Sequence, residues 1–294
     1  MTIEDWLNAG ENIDFNGKKI FVMDSGEEDK PIVLMVHGFP TSSWDWQPMW
    51  QTLNEQYRLV AMDMLGFGYS DKPNHRNYTI HGQADVVETV VAAKGLNQFH
   101  LFAHDYGDTV AQEVLARHHE GNGVGTVLSC CFLNGGIFPE THRALLTQKL
   151  LLSPLGKLLN KFTGYTKFSN NFGHVFGPDT KPTEQQLQEF WTLINYNDGK
   201  HLFHNLITYM RDRKLHRTRW VEVLQQSRIP LSLINGSVDP ISGAHMVARY
   251  QELECRLDYL AELPDIGHYP SIEAPADVAR HYLAFLASIS AAKS

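Results

Sequence analysis

The chain has 294 residues, 43% hydrophobic and 20% charged, enough to bury a large core in one domain or in a domain carrying an insertion. Its 33 acidic and 25 basic residues leave a net charge of −8, which argues against nucleic acid as a partner, because such binding needs a basic surface to displace counterions. Three cysteines, Cys130 and Cys131 side by side and Cys255 far along the chain, make no disulfide framework and read as buried free thiols. Met1 to Trp6 lacks a basic region followed by an apolar run, and no apolar run approaches the roughly 18 residues of a membrane span. The expected setting is therefore cytoplasmic, with no membrane partner.

Taken in order, Phe15-Asn16-Gly17-Lys18-Lys19 reads as a hairpin turn, followed by a strand at Ile20-Phe21-Val22-Met23. Ile32-Val33-Leu34-Met35-Val36 is a continuous apolar run of strand length, as expected of a parallel strand covered on both faces. It leads into the Gly/Pro loop His37-Gly38-Phe39-Pro40. A second such strand, Arg58 to Met62, ends in Asp63-Met64-Leu65-Gly66-Phe67-Gly68-Tyr69-Ser70. A helix carrying Val86, Val87, Val90 and Val91 precedes the strand His100-Leu101-Phe102-Ala103. Gly107 to Arg117 continues helically, and Val124 to Leu133 is again strand-like. From residue 137 to about 228 the pattern is helical, with no convincing buried parallel strand. The sheet resumes at Ile229 to Ile234 and Leu257 to Leu263, and Pro275 to Ile289 forms a last helix. Alternating strands and helices predict a mostly parallel α/β sheet flanked by helices. The expected division is a core of 1–136 and 229–294 with a helical cap at 137–228.

The stretch Ala103-His104-Asp105-Tyr106-Gly107 passes from strand to helix through a sharp turn. Small residues two positions either side of Asp105 allow the backbones to pass closely while its side chain is displayed. An aspartate there could simply cap the helix. Two further groups change that reading. Asp239 follows the Ile229 strand, and His268 follows the Leu257 strand. Ligands of open α/β sheets bind at the carboxyl ends of the strands. The order nucleophile, acid, histidine is that of the α/β-hydrolases.

On His37-Gly38-Phe39-Pro40, Asp63 to Ser70, His104-Asp105-Tyr106-Gly107, Asp239 and Gly267-His268, the sequence resembles the α/β-hydrolase family over nearly its whole length. It is most similar to the aspartate-nucleophile subgroup of epoxide hydrolases and haloalkane dehalogenases. His104 to Glu113 and Leu133 to Arg143 carry a closer likeness to one animal branch of that family. The resemblance implies that Asp105 displaces oxygen or halide from an electrophilic carbon of a small apolar substrate, forming an ester. His268 then activates water against the Asp105 carbonyl, Asp239 holds the imidazole, and the N–H groups of Phe39 and Tyr106 meet the oxyanion. This chemistry needs no metal and no organic cofactor.

The leaving-group residues depart from the family pattern. Tyr106 stands where a dehalogenase commonly has tryptophan, Phe39 where one subgroup has asparagine, and Asn134 where that subgroup has its acidic residue. An epoxide is thus expected ahead of a haloalkane, with a non-catalytic ligand-binding protein as the alternative of another class. The usual cap tyrosines fall near Phe172 and near Arg219-Trp220, with His174 a possible substitute donor. Candidates for the substrate pocket are His37, Trp44, His104, Asn134, His174, Trp191, Tyr196, Tyr209 and Trp220. Leu150 to Phe162, with Lys149, Lys157 and Lys161, has an amphipathic composition. Pro154 and Gly156 interrupt it, so packing on the core is expected rather than a membrane-surface helix.

Overall fold

A computed structural model of the protein describes residues 1–74, 77–161 and 163–291, with the side chain of Leu159 left aside. Eight strands form one sheet: β1 (Glu11–Phe15), β2 (Lys18–Asp24), β3 (Ile32–Val36), β4 (Arg58–Met62), β5 (Gln98–His104), β6 (Thr126–Leu133), β7 (Leu231–Gly236) and β8 (Tyr259–Leu263). Their spatial order is β1-β2-β4-β3-β5-β6-β7-β8. β1 pairs antiparallel with β2, and β2 with β4; every other pairing is parallel. The expected hairpin is present, and Asn16 and Gly17 both take the positive φ that a two-residue turn between twisted strands requires.

The apolar runs are covered on both faces, as their lack of alternation suggested. Leu34 and Val36 of β3 belong to one core cluster, and Val33 and Met35 to the other. Cys130 and Phe132 of β6 divide from Cys131 and Leu133 in the same way, and all three cysteines are free and buried. Helices α1 (Ile3–Ala9), α2 (Gln47–Asn54), α3 (Ile80–Ala93) and α4 (Tyr106–His119) intervene in the first half of the chain. α3 and α4 cover one face, while α2 and the buried Trp6 of α1 cover the other. The α1 helix escaped the sequence reading, although Thr2 and Asp5 form a capping box that marks its start.

Between β6 and β7 the described residues are helical: α5 (Leu146–Leu152), α6 (Gly156–Asn160), α7 (Tyr165–Gly173), α8 (Glu184–Asn195), a 3-10 turn at Tyr196–Leu202, α9 (Phe203–Leu206), α10 (Tyr209–Leu215) and α11 (Arg217–Gln225). The last of these packs along α4, where the Trp220 indole donates to Glu113 at 2.8 Å. The helical layer over the sheet is therefore re-entered at Arg217, earlier than the expected 229. α12 (Ala244–Glu252), α13 (Pro270–Glu273) and α14 (Pro275–Ala291) complete the chain. Among the described residues, no helix is long and apolar enough to cross a membrane.

The Leu150–Phe162 stretch does not pack as expected, and Phe162 itself lies outside the described residues. α5 buries none of its residues, and only Leu151 and Leu152 lean on the core. α6 folds back where Gly156 passes so near the Leu151 carbonyl that a Cβ would lie 1.9 Å from it. These two short helices contact each other and α9, and α6 also meets the 3-10 turn, while Leu146, Leu150, Leu155 and Leu158 stay exposed.

A close backbone approach also lies beneath the elbow. A Cβ on Gly107 would sit 2.3 Å from the Val36 carbonyl oxygen, so the neighbour that demands glycine is β3 rather than the strand preceding the turn. Both obstacles, the carbonyls of Val36 and His37, are backbone and cannot swing aside. Gly107→Ala is expected to lower unfolding free energy by about 1–3 kcal/mol, as forced overpacking does. Urea denaturation reads this directly, and an unchanged midpoint would mean that the elbow can move away from β3.

Candidate active site

Each central strand delivers one group to the same end of the sheet. Gly38 and Phe39 follow β3, Asp105 follows β5, Asn134 follows β6, Asp239 follows β7 and His268 follows β8. Asp105 has φ 48° and ψ −106°, a sparsely populated conformation for a residue with a Cβ. It makes no side-chain cap to α4, which removes helix capping as its role. Its Oδ2 instead accepts the Phe39 amide at 3.0 Å. Tyr106 opens α4, so its amide is among those without an acceptor inside the helix.

His268 sits between two carboxylates. Its Nδ1 lies 2.7 Å from Asp239 Oδ2, and its Nε2 lies 3.7 Å from Asp105 Oδ1. Burial disfavours the imidazolium, but the charges of Asp239 and Asp105 outweigh it and hold the His268 pKa well above the ordinary value. Burial likewise works against charge on Asp105, yet His268 pulls its carboxyl well below the usual range, and it is ionised at neutral pH. The two shifts describe one ion pair.

Asp239 is the most elaborately held member. Its Oδ1 accepts the Ile241 amide at 2.7 Å, an Asx turn two residues on. Its Oδ2 also accepts from Ser242 Oγ at 2.8 Å and Asn134 Nδ2 at 3.0 Å. Asn134, at φ 42°, is tied in turn to β7 by the Gly236 amide at 2.7 Å. The residue standing at the alternative acid position thus buttresses the acid. Ser242 and Tyr269 were not foreseen. The Tyr269 hydroxyl donates to the Phe39 carbonyl at 3.1 Å, linking the histidine loop to the loop after β3. The Asp-Pro turn signal at Asp239 was available for the first; nothing local marks the second.

Asp105 and His268 lie in the wall of a cavity of about 160 Å³. The rest of its lining is mainly apolar, including Phe39, Leu151, Phe168, Phe172, Phe203 and Tyr269. None of the nine expected pocket residues, Tyr209 included, is among those that line it. His37 is buried, its Nε2 accepting the Met64 amide, and it shapes the loop. His104 packs behind the triad with Nε2 2.7 Å from the His268 carbonyl, and burial lowers its pKa to about 4. Trp44 donates to Glu189, Trp191 packs on Tyr165 and Phe168, and Trp220 is held by Glu113. His174 is exposed, and Tyr196 packs on Tyr69 at the surface. Asn134 serves Asp239 rather than the cavity. Phe172, near which a family tyrosine would fall, does line it, as a phenyl ring without a hydroxyl. Tyr209 is buried with its hydroxyl unpartnered, its ring 4.8 Å from that of Tyr106 and 6.3 Å from that of Phe39. Burial and then the Asp105 charge raise its pKa.

An elbow aspartate, a histidine three strands away and an acid on the strand between, all on a sheet of this order, define a hydrolase architecture. The chain belongs to the α/β-hydrolase superfamily: a family profile for the alpha/beta hydrolase fold matches residues 31–148. It is 40% identical to the mesoderm-specific transcript protein of Mus musculus, over 97% of this chain and 88% of that protein. It is 35% identical to a putative hydrolase, LipZ, of Mycobacterium tuberculosis, over 97% of this chain and 98% of that one. A shorter match, 31% identical over 38% of this chain and 28% of the relative, joins it to epoxide hydrolase 1 of Caenorhabditis elegans. Among solved structures, a loop variant of a haloalkane dehalogenase from Bradyrhizobium elkanii superposes with a TM-score of 0.82 at 20% identity, covering 97% of this chain and 98% of the other.

If Asp105 and His268 form one ion pair, neutralising the aspartate must lower the imidazole pKa. In Asp105→Asn, the His268 titration midpoint followed by NMR is expected to fall relative to the wild type. An unmoved midpoint would show that Asp239 alone sets it.

Proposed function

We propose that the protein hydrolyses a small apolar epoxide through a covalent ester on Asp105. The observation that carries this reading is the ionised, buried Asp105 carboxylate in the wall of an apolar cavity, one oxygen on the Phe39 amide and the other facing His268. Oδ1 is the free nucleophile. It attacks an epoxide carbon, the C–O bond breaks, and the ring oxygen leaves as an alkoxide that takes a proton. Oδ2 becomes the carbonyl oxygen of the ester and remains on the Phe39 amide. We assign the proton donor as Tyr209, which stands outside the cavity lining, against the Phe39 and Tyr106 rings, with its buried hydroxyl within the field of Asp105.

Alkylation of Asp105 removes its negative charge, so one of the two charges raising the His268 pKa disappears. The imidazolium passes its proton to the Tyr209 phenolate left by ring opening and then, neutral, serves as the base at the stage that needs one. It takes a proton from water as that water attacks the Asp105 carbonyl carbon. The tetrahedral oxyanion is met by the Phe39 N–H, and one such donor is worth about 2.7–4 kcal/mol in the transition state. Collapse expels the product alkoxide, which takes the proton from His268 and leaves as the diol, and the proton of the new Asp105 carboxyl passes to His268, restoring the ion pair. Asp239, fixed by Ile241, Ser242 and Asn134, keeps Nε2 aimed at the site.

Halide release has less support. No tryptophan lines the cavity, and the Tyr106 ring turns away to pack on Phe67 and Tyr209, so no indole N–H is offered to a departing halide. The helices of residues 146–206 supply much of the lining and would act as the cap that excludes bulk water.

Two variants test the scheme. Incubated with a panel of terminal and disubstituted epoxides, His268→Gln should accumulate a protein adduct of enzyme plus epoxide mass, mapped to Asp105 by peptide mass spectrometry. Wild-type protein should release diol, and Tyr209→Phe should lose about 10²–10⁴-fold in the alkylation rate, as expected when a general acid is removed. Halide release from a parallel panel of haloalkanes, without diol formation from the epoxides, would transfer the assignment to dehalogenation. Thermal stabilisation by ligands without any adduct or turnover would support a binding protein.

A further inference from the structure

We infer that the surface of α5 and α6 docks on an anionic membrane, setting the mouth of the cavity against the lipid. Four large leucines stand in solvent there: Leu146 is 71%, Leu150 43%, Leu155 61% and Leu158 54% exposed. The segment thus holds four of the ten exposed large hydrophobic residues of the described chain within thirteen positions. A cluster of that kind marks a contact surface rather than the scattered apolar residues normal to any protein. Leu146 and Leu150 share one side of α5 by their spacing of four, and Leu155 and Leu158 lie a helical turn apart.

Charge identifies the occupant. The protein carries −8 overall, yet residues 141–178 contain no aspartate or glutamate and five basic residues: Arg143, Lys149, Lys157, Lys161 and Lys167. All five are exposed. A second copy of this acidic protein would answer the lysines but offers no acyl interior for the leucines, whereas an anionic bilayer satisfies both. Apolar side chains enter the acyl boundary while lysine stems reach back to the headgroups. With helices this short the mode is interfacial, in keeping with the absence of a spanning helix among the described residues.

The same segment reaches the cavity. Leu150 and Lys167 are exposed and also line it, so they stand at its rim, and Leu145, Thr147, Gln148 and Leu151 continue inward. Seated on lipid, the mouth would admit an apolar substrate from the bilayer without its passing through water. This consequence rests on the epoxide reading, whereas the docking itself does not.

Co-sedimentation with phosphatidylcholine vesicles, with and without phosphatidylserine, tests the docking in the absence of any substrate. The full-length protein should bind the phosphatidylserine vesicles preferentially, with binding weakened at high salt. Leu155→Gln/Leu158→Gln, neither of which lines the cavity, should lose at least about tenfold in binding while keeping its melting temperature. Lys149→Gln/Lys157→Gln/Lys161→Gln should lose the preference for phosphatidylserine. Absent binding, or equal binding to both vesicles, would overturn the inference. So would a concentration-dependent dimer, seen by light scattering and abolished in the double leucine variant, because the face would then belong to a second copy. Epoxide turnover is scored separately, so its failure leaves the vesicle result intact.

Discussion

A charged carboxylate in an apolar wall survives only if its charge is met at short range, and the site is built around that requirement at Asp105. The compensation comes from unlike sources: the His268 imidazolium, the Phe39 amide, and a second carboxylate, Asp239, that stabilises the imidazolium from behind. None of these acts alone. Burial works against charge on both Asp105 and His268, and each charge is held by its neighbours: His268 lowers the Asp105 pKa, while Asp239 and Asp105 together raise that of His268. The strand order brings the loops that carry these groups to one end of the sheet, and Gly38 and Gly107 allow the backbones to close around them.

The framework was legible in the sequence because its signals are local. Continuous apolar runs such as Ile32 to Val36 mark strands covered on both faces, and the elbow announces itself through a small residue at Gly107. The three candidate groups could be located because each follows a strand, where the fold exposes side chains to ligand. The cavity was much less legible. Trp220 and Tyr209 lie eleven positions apart in one helical region, yet the first is held by Glu113 on the flank of α4 and the second is buried against Tyr106 and Phe39. Which way a helix faces depends on its partners across the molecule, and one residue type at helical spacing does not carry that information. The same limit explains α5 and α6: composition showed the leucines, but only their placement shows that nothing covers them.

Asn134 illustrates how a position can keep its place in a site while changing its work. An acid there could orient the histidine directly. With an amide, the residue donates to Asp239 and accepts from the Gly236 amide, so it locks the neighbouring strand end on which the acid now stands. Neutral and bidentate, it does this without adding a further negative charge beside two carboxylates that already share one cation.

The hydrogen bond from the Tyr269 hydroxyl to the Phe39 carbonyl spans 230 positions of chain. During synthesis the elbow and the amide that faces it leave the ribosome long before this brace exists. A nascent chain that has folded its first five strands therefore still lacks both His268 and the Tyr269 hydroxyl that braces the loop after β3. In the proposed reaction, turnover is withheld until the final strand and its histidine loop arrive.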